Sequence, residues 1–197
     1  MRDDVVQISK DLLGKELFTR MNGVLTSGLI TETEAYAGVA DRASHAYNNR
    51  RTSRTEVMYA QGGTAYIYLC YGIHHLFNVV CNHTDVPHAV LIRAIVPNTG
   101  IKNMLKRRSR KSLDKSLCAG PGTLSQALGI KTTHNGLDLG GDKIWIEESS
   151  VIVEEADIVA GPRIGVDYAR QDALLPYRFV WTQERAAHDY NGLQGHE

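Results

Sequence analysis

The segment that most constrains the fold runs from Leu29 to Tyr36 and reads Leu-Ile-Thr-Glu-Thr-Glu-Ala-Tyr. Apolar and β-branched residues come first, and acids then alternate with threonine, which is typical of a β-strand. Because side chains alternate between the two faces of a strand, the pattern predicts that Glu32, Glu34 and Tyr36 share one face. Two carboxylates on one face are costly to bury, so the strand either exposes them to water or uses them for chemistry.

The length of 197 residues and the ordinary composition predict one domain over residues 1–197, with a loosely held tail at 190–197. The net charge is zero, but the segment 102–111 contains six basic residues and no acid, so one face can still be basic. Three cysteines without a paired spacing favour a reducing compartment over a disulfide framework. The chain lacks an apolar signal core and any run that is long enough to span a membrane, so no membrane association is expected.

Strand signals recur along the chain. Asn22-Gly23 is a strong hairpin signal and joins a strand at Glu16–Arg20 to the strand Val24–Tyr36. A long polar loop at 37–55 follows, and such loops are usually functional or disordered. Further strands are predicted at Thr64–Leu69, His75–Cys81, Val86–Ala94, Lys143–Glu147, Val151–Val153 and Tyr177–Trp181.

Three helices accompany these strands. Asp3 or Asp4 can cap the first, and Asn98 or Thr99 can cap a basic helix that continues to Arg108. Pro121 is suited to the first turn of the third helix. The sequence therefore predicts an α+β domain with a curved, mainly antiparallel sheet and flanking helices.

Cofactor and metal motifs are weak. Cys81, His83 and His88 are close in sequence but lack a second ligand pair at a known zinc spacing, so we expect no metal and no cofactor. The Gly120-Pro121-Gly122 turn matches neither a Walker loop nor a dinucleotide fingerprint. It could offer backbone N–H groups to one phosphate, or it could be an ordinary helix entry.

The tyrosines are more informative, because Tyr36, Tyr66, Tyr68 and Tyr71 surround the acidic strand and a predicted tight turn at Tyr71-Gly72. Tyrosines on strands are mostly core or interface residues. Stacked aromatic rings, a carboxylate and a basic loop are, however, also what a base-flipping enzyme needs. An apolar or aromatic turn can moreover insert into a duplex.

Several motifs occur together in a fixed order over roughly residues 5–181. They are Glu32-Thr33-Glu34-Ala35-Tyr36, Ser44-His45, Arg50 with Thr52 and Arg54, Gly63-Thr64-Ala65-Tyr66-Ile67-Tyr68, Tyr71-Gly72 with Asn78, Val90-Leu91-Ile92-Arg93-Ala94, Gly120-Pro121, Gln126-Ala127-Leu128 and Arg163-Ile164-Gly165-Val166. In these motifs the chain resembles the 3-methyladenine (alkyladenine) DNA glycosylase family. Thr123 is a departure, because some members carry a lysine there, and a phosphate contact at that position is therefore in doubt.

The resemblance implies a role for each matching residue. Glu34 would be the general base that activates the water attacking the sugar C1′, and Arg93 with the backbone carbonyl of Ile164 would help to hold that water. The flipped base would lie between Tyr36 on one side and His45 and Tyr68 on the other. The remaining implied residues are Ala43 and His45 for backbone reading of the base edge, Tyr71 for intercalation from the β-hairpin, Asn78 as the gate against the guanine 2-amino group, and Arg50, Thr52, Arg54 and Arg108 for phosphates.

The implied function is base-excision repair, in which damaged purines such as 3-methyladenine, hypoxanthine or ethenoadenine are flipped from duplex DNA and released by hydrolysis. The strand and turn motifs contain no lysine, which favours a water nucleophile, a monofunctional enzyme and an abasic-site product. A non-catalytic nucleic-acid-binding module and a small-molecule hydrolase or transferase with a tyrosine-lined pocket remain the alternatives. We expect a monomer whose partner is double-stranded DNA, in the cytoplasm near the nucleoid if the source is bacterial and in the nucleus if it is eukaryotic.

Overall fold

The long strand β2 (Val24–Tyr36) organises the sheet in the computed structural model, which describes residues 4–182. It pairs antiparallel with β1 (Glu16–Met21) across the turn Asn22-Gly23. Both turn residues have positive φ, 53° for Asn22 and 79° for Gly23. A two-residue turn with positive φ at both positions matches the right-handed twist of the two strands that it joins. The predicted hairpin is therefore confirmed.

The remaining strands are β3 (Ala65–Cys70), β4 (His74–Val80), β5 (Ala89–Pro97), β6 (Ile144–Glu147), β7 (Ile158–Gly161) and β8 (Arg178–Trp181). With β1 and β2 they form one eight-stranded sheet in the order β3-β4-β5-β2-β1-β6, in which β8 pairs with both β2 and β7. Every pairing of these strands is antiparallel, so the predicted α+β class with a curled antiparallel sheet is confirmed.

Three α-helices lie in the described part of the chain, and two begin as predicted. The helix α1 (Val5–Asp11) begins after Asp4, whose carboxylate accepts from two N–H groups of the first turn. The helix α3 (Pro121–Leu128) begins at Pro121, where the missing N–H of proline costs no hydrogen bond. No helix within residues 4–182 is long and apolar enough to cross a membrane.

The predicted cap of α2 (Ile101–Arg107) was wrong, because the helix begins after Gly100 rather than after Asn98 or Thr99. The N–H of Asn98 donates to the Ser27 carbonyl, and the Thr99 carbonyl accepts from the Ser27 N–H. The two residues thus continue the pairing along β2 and are not available as caps. Gly100 then turns the chain with a φ of 74°, which glycine adopts without strain.

One predicted strand is absent and one observed strand was not predicted. Val151 and Val153 form no strand; both pack against the main core instead, and the Val151 N–H donates to the Ser149 hydroxyl. Their alternation therefore reflects burial without pairing. The unpredicted strand β7 (Ile158–Gly161) is short and largely exposed, so it carries little hydrophobic pattern.

The main core lies where α1 and α3 pack against one face of the sheet. A second buried cluster lies where the loop following β2 packs against β3, β4 and β5. Its members are Ala46, Met58, Tyr59, Tyr66, Val80 and Ala89. The polar loop at 37–55 thus packs against the sheet through Ala46, and it includes short 3₁₀ turns at Gly38–Ala40 and Tyr47–Asn49.

Candidate active site

A cavity of about 640 Å³ opens between the loop after β2, the β3–β4 hairpin, the start of α3 and the segment 164–168. The predicted site residues that line it are Tyr36, Ala43, His45, Arg54, Tyr68, Tyr71, Asn78, Arg93 and Ile164. Segments far apart in sequence therefore bring most of the predicted site into one concave surface, as expected of a ligand site.

Glu34 lies behind this wall and is completely buried, with 0 % of its surface exposed. Its Oε1 accepts from the backbone N–H of Ile164 at 2.8 Å and lies 3.1 Å from Nη1 of Arg93. Its Oε2 accepts from the hydroxyl of Tyr36 at 2.8 Å. The alternative in which this acid faces water was wrong, because three donors replace the solvent around the carboxylate.

The environment of Glu34 changes its proton affinity. Burial raises the pKa of Glu34 above its ordinary value, although Arg93, the Ile164 N–H and the Tyr36 hydroxyl oppose this effect. The negative charge of Glu32 adds to the increase. A carboxylate with a raised pKa accepts a proton more readily at neutral pH, which is the property of a general base.

Arg93 is held between the two acids of the strand. Its Nε donates to Oε1 of Glu32 at 2.9 Å, while Nη1 contacts Glu34. The same oxygen of Glu32 accepts from Arg178 on β8 at 3.0 Å. The β2–β5 register is irregular at this point, where Glu32 pairs with Ala94. As predicted, Glu32, Glu34 and Tyr36 share a face. The positive charges that pair with the two acids come from Arg93 and Arg178, on the neighbouring strands β5 and β8.

Aromatic rings form the cavity wall next to Tyr36. The rings of His45 and Tyr68 lie 4.6 Å apart in an edge-to-face contact, and Nδ1 of His45 shares a hydrogen bond of 2.9 Å with the Tyr66 hydroxyl. Burial, with help from the charges of Arg54 and Arg50, lowers the pKa of His45 to about 4. The imidazole is therefore neutral at pH 7 and adds no positive charge to the wall.

A buried ion pair fixes the loop that carries the predicted base-edge groups. Arg163 donates to both oxygens of the Asp41 carboxylate and also to the Ala35 carbonyl. The Asp41 carboxylate in turn accepts from the N–H of Ala43 at 2.9 Å. Because the Arg163 guanidinium also lies 4.8 Å from the centre of the Tyr36 ring, one side chain ties together the strand, the loop and the segment before Ile164.

Asn78 and Tyr71 lie on the β3–β4 hairpin, at opposite extremes of burial. Nδ2 of Asn78 donates to the carbonyls of Tyr66 and Leu76, so its buried amide is held in one orientation at the cavity wall. Tyr71 is 90 % exposed and has a φ of 50°, next to Gly72 at 74°. The tight turn is thus confirmed, and its aromatic side chain projects away from the protein.

The four predicted phosphate ligands are not equivalent. Arg50 and Thr52 are exposed on the loop outside the cavity. The guanidinium of Arg54 lies over the Tyr68 ring at 5.1 Å and lines the cavity. Arg108 lies away from the cavity lining, where it donates to the Leu117 carbonyl and to the Gln126 side chain and thereby links α2 to α3.

Sequence reasoning missed three contributors to this site. Glu32 was identified only as a second acid, Arg163 only as part of a motif, and Tyr168 was not identified at all. Tyr168 lines the cavity, and its hydroxyl donates to the Ala43 carbonyl at 3.0 Å. The predicted β-strand face was the available signal for Glu32, but the contacts of Arg163 and Tyr168 join residues more than a hundred positions apart.

Within residues 4–182 no three His, Cys, Asp or Glu side chains are grouped to hold a metal ion.

Comparison with known proteins identifies what the chain is similar to. The methylpurine-DNA glycosylase family model matches residues 1–185. A protein of Chlamydia felis is 47% identical over 181 residues, which cover 91% of this chain and 92% of the relative. A protein of Chlamydia abortus is 48% identical over 91% of this chain and 94% of its own, and one of Bacillus cytotoxicus is 44% identical over 90% and 91%. All three relatives carry the name 3-methyladenine DNA glycosylase.

Proposed function

This chain belongs to the methylpurine-DNA glycosylase family and is a DNA glycosylase of DNA repair, and from that premise we propose how it acts. It flips an alkylated or deaminated purine out of duplex DNA into the aromatic cavity and hydrolyses the N-glycosidic bond. Glu34 activates the attacking water, and the product is an abasic site.

One observation carries the proposal: a fully buried carboxylate with a raised pKa lies directly behind the wall of an aromatic cavity. Cleavage of a glycosidic bond passes through an oxocarbenium-like sugar, which a carboxylate stabilises while it takes the proton of water. Each carboxylate oxygen can accept two hydrogen bonds, and Oε2 of Glu34 accepts one, from Tyr36. In the proposal this oxygen takes the proton of the attacking water. Arg93 and the segment at Ile164 hold the carboxylate in place.

The cavity walls suit a purine ring. In the proposal Tyr36 stacks on one side of the base and His45 with Tyr68 on the other. All three residues line the cavity, and such rings accept any purine because every base has a π-face. Because His45 is neutral, it adds no positive charge of its own that would repel an alkylated, cationic base, and the charge on that side comes from Arg54 over the Tyr68 ring. Damaged bases leave the duplex at lower cost, so the flipping step favours them before any contact in the pocket.

The mouth of the cavity suits a duplex. Tyr71, at the exposed tip of the hairpin, would fill the gap that the flipped nucleotide leaves behind. Arg50 and Thr52, with Arg54 at the rim, would contact phosphates, and Arg108 would do so farther away. No lysine is among the described residues that line the cavity, which supports hydrolysis by water rather than through a Schiff base.

The proposal is tested with duplexes that contain 3-methyladenine, hypoxanthine or ethenoadenine. We expect release of the free base, with strands that remain intact until alkali cleaves the abasic site. Strand breaks without alkali would contradict the monofunctional mechanism. Salt-dependent binding without base release would support the non-catalytic alternative, and base release combined with loss of duplex affinity in salt excludes the small-molecule alternative.

Asn78 is proposed as the gate against guanine. Its amide is held rigidly at the wall, so a 2-amino group that enters its path meets a fixed obstacle. The same hydrogen bonds also fit a purely structural role, in which the amide satisfies two carbonyls. Asn78→Ser should gain guanine release from mispairs and keep hypoxanthine release if the gate is real. Loss of both activities together with a lower melting temperature would favour the structural role.

A further inference from the structure

The peptide of Ala43 is fixed at the cavity wall. Its N–H donates to Oδ1 of Asp41, and Asp41 is itself held by two hydrogen bonds from Arg163. The backbone N–H of His45, two residues further on, donates to no protein acceptor within the described chain. The cavity thus has an acceptor, the Ala43 carbonyl, close in the chain to a donor, the His45 N–H.

Tyr168 occupies this acceptor. Its hydroxyl donates to the Ala43 carbonyl at 3.0 Å, although 65 % of the residue is exposed. Burial raises the pKa of the Tyr168 hydroxyl; Arg163 opposes this effect, and the charges of Asp41 and Glu34 add to it. Tyr168 also lines the cavity, so its hydroxyl lies at the cavity wall on the Ala43 carbonyl, while most of the residue stays exposed. Since Val166 and Ala169 on the same segment pack against Ala43, the backbone that carries the phenol is anchored.

The purine substrates differ in what they present to such an acceptor. Hypoxanthine carries an N1–H donor beside its O6 acceptor, and 3-methyladenine carries an amino group. Ethenoadenine has no N–H donor on that edge, because the etheno bridge occupies both nitrogens. A base that donates to the Ala43 carbonyl has to share it with the Tyr168 hydroxyl or displace that hydroxyl, whereas ethenoadenine does not.

We propose that Tyr168 is a specificity-determining residue of the base pocket. By covering the Ala43 carbonyl it disfavours purines whose recognition depends on donation to that carbonyl, relative to purines without such a donor. This inference rests on the proposed base-excision function and adds a selection step at the mouth of the same cavity.

The test is the ratio of kcat/KM on hypoxanthine to kcat/KM on ethenoadenine, in duplexes of the same sequence. Tyr168→Phe keeps the ring and removes only the hydroxyl. We expect the ratio to rise by roughly fivefold, which corresponds to one neutral hydrogen bond. Tyr47→Phe is the matched control, because Tyr47 lies on the loop that carries Ala43 but outside the cavity lining, and its ratio should stay at the wild-type value.

Tyr168→Ala separates the ring from the hydroxyl. Removal of the ring should open the mouth for both substrates, while the ratio should rise as in Tyr168→Phe. An unchanged ratio in Tyr168→Phe would overturn the inference, as would an equal loss on both substrates with a lowered melting temperature. If the wild-type protein released neither base, the proposed function itself would fail, and this result is distinct from an unchanged ratio.

Discussion

The acid behind the cavity wall and the tip of the β3–β4 hairpin are built on opposite principles. Glu34 has no exposed surface, and all of its contacts are supplied within the sheet and the segment at Ile164. Tyr71 and Ile73 at the tip are 90 % and 70 % exposed and belong to neither main cluster. Under the proposed mechanism, the group that performs the chemistry is therefore preorganised before DNA binds, whereas the groups that would deform the duplex are exposed until it binds.

This contrast makes a general prediction. Changes around Glu34 should alter turnover and its pH dependence while leaving DNA affinity intact. Changes at the hairpin tip and the basic loop should alter affinity and flipping while leaving the chemical step intact.

The largest effect is expected for Glu34→Gln, which keeps the shape of the side chain but cannot accept a proton. Turnover should fall by at least about a hundredfold, as for loss of a general base, while damaged-DNA binding persists. In the wild type the active form is ionised, so the rate should decrease as the pH falls through the raised pKa of Glu34. Single-turnover rates across pH measure this, and near-normal base release by the variant would transfer the role to Glu32.

Glu32→Gln should have a smaller effect, because Glu32 acts on Glu34 through Arg93. The amide oxygen of Gln can still accept from Nε of Arg93, but the charge that holds the guanidinium is lost, so we expect turnover to fall on the order of tenfold. Removal of the neighbouring negative charge should also lower the pKa of Glu34 and shift the acidic limb of the rate profile to lower pH.

Glu155→Gln is the matched control for that experiment. It removes an equal charge from an exposed pair with Lys10, which is not part of the cavity, and should leave the limb in place. A Glu32→Gln protein with a lowered melting temperature and an unmoved limb would show that Glu32 only stabilises the sheet.

Tyr71→Ala tests the other region. Without the wedge, the flipped base should return to the stack more often, so duplex flipping measured by stopped-flow ethenoadenine fluorescence should weaken by several-fold. Activity on a single-stranded substrate needs no wedge and should be unchanged. Ile152→Ala removes an equally exposed apolar side chain elsewhere and serves as the control. A folded Tyr71→Ala protein that flips as well as the wild type would contradict the wedge.

The smallest effect is expected for Arg50→Ala. Arg50 is exposed and forms no ion pair within the described residues, so it is available for a phosphate. Its removal should lower affinity on all sequences alike and reduce the slope of log affinity against log salt by roughly one unit. Its neighbour Arg51 is paired with Glu56 and Asp85, so Arg51→Ala is the control with a smaller change. Equal slopes for the wild type and Arg50→Ala would place the DNA elsewhere.

Much of the scaffold could be predicted because its signals are local. The alternation of β2, the Asn22-Gly23 turn and the cap at Asp4 each depend on neighbouring residues, and each prediction was confirmed. The same reasoning failed at Val151–Val153, where an alternating pattern packs without pairing. It also failed at Gly100, because pairing of the preceding residues with β2 overrode a cap signal.

What the sequence by itself determined is which side chains share a face: a strand period of two places Glu32, Glu34 and Tyr36 together wherever the strand lies. Only the tertiary structure decided that Glu34 is buried, that Arg93 from β5 lies against it, and that Arg163 reaches Asp41 across 122 positions. The same holds for the hydroxyl of Tyr168 on the Ala43 carbonyl. Periodicity and turn chemistry act between near neighbours, whereas desolvation and charge pairing depend on which distant segments the fold brings together.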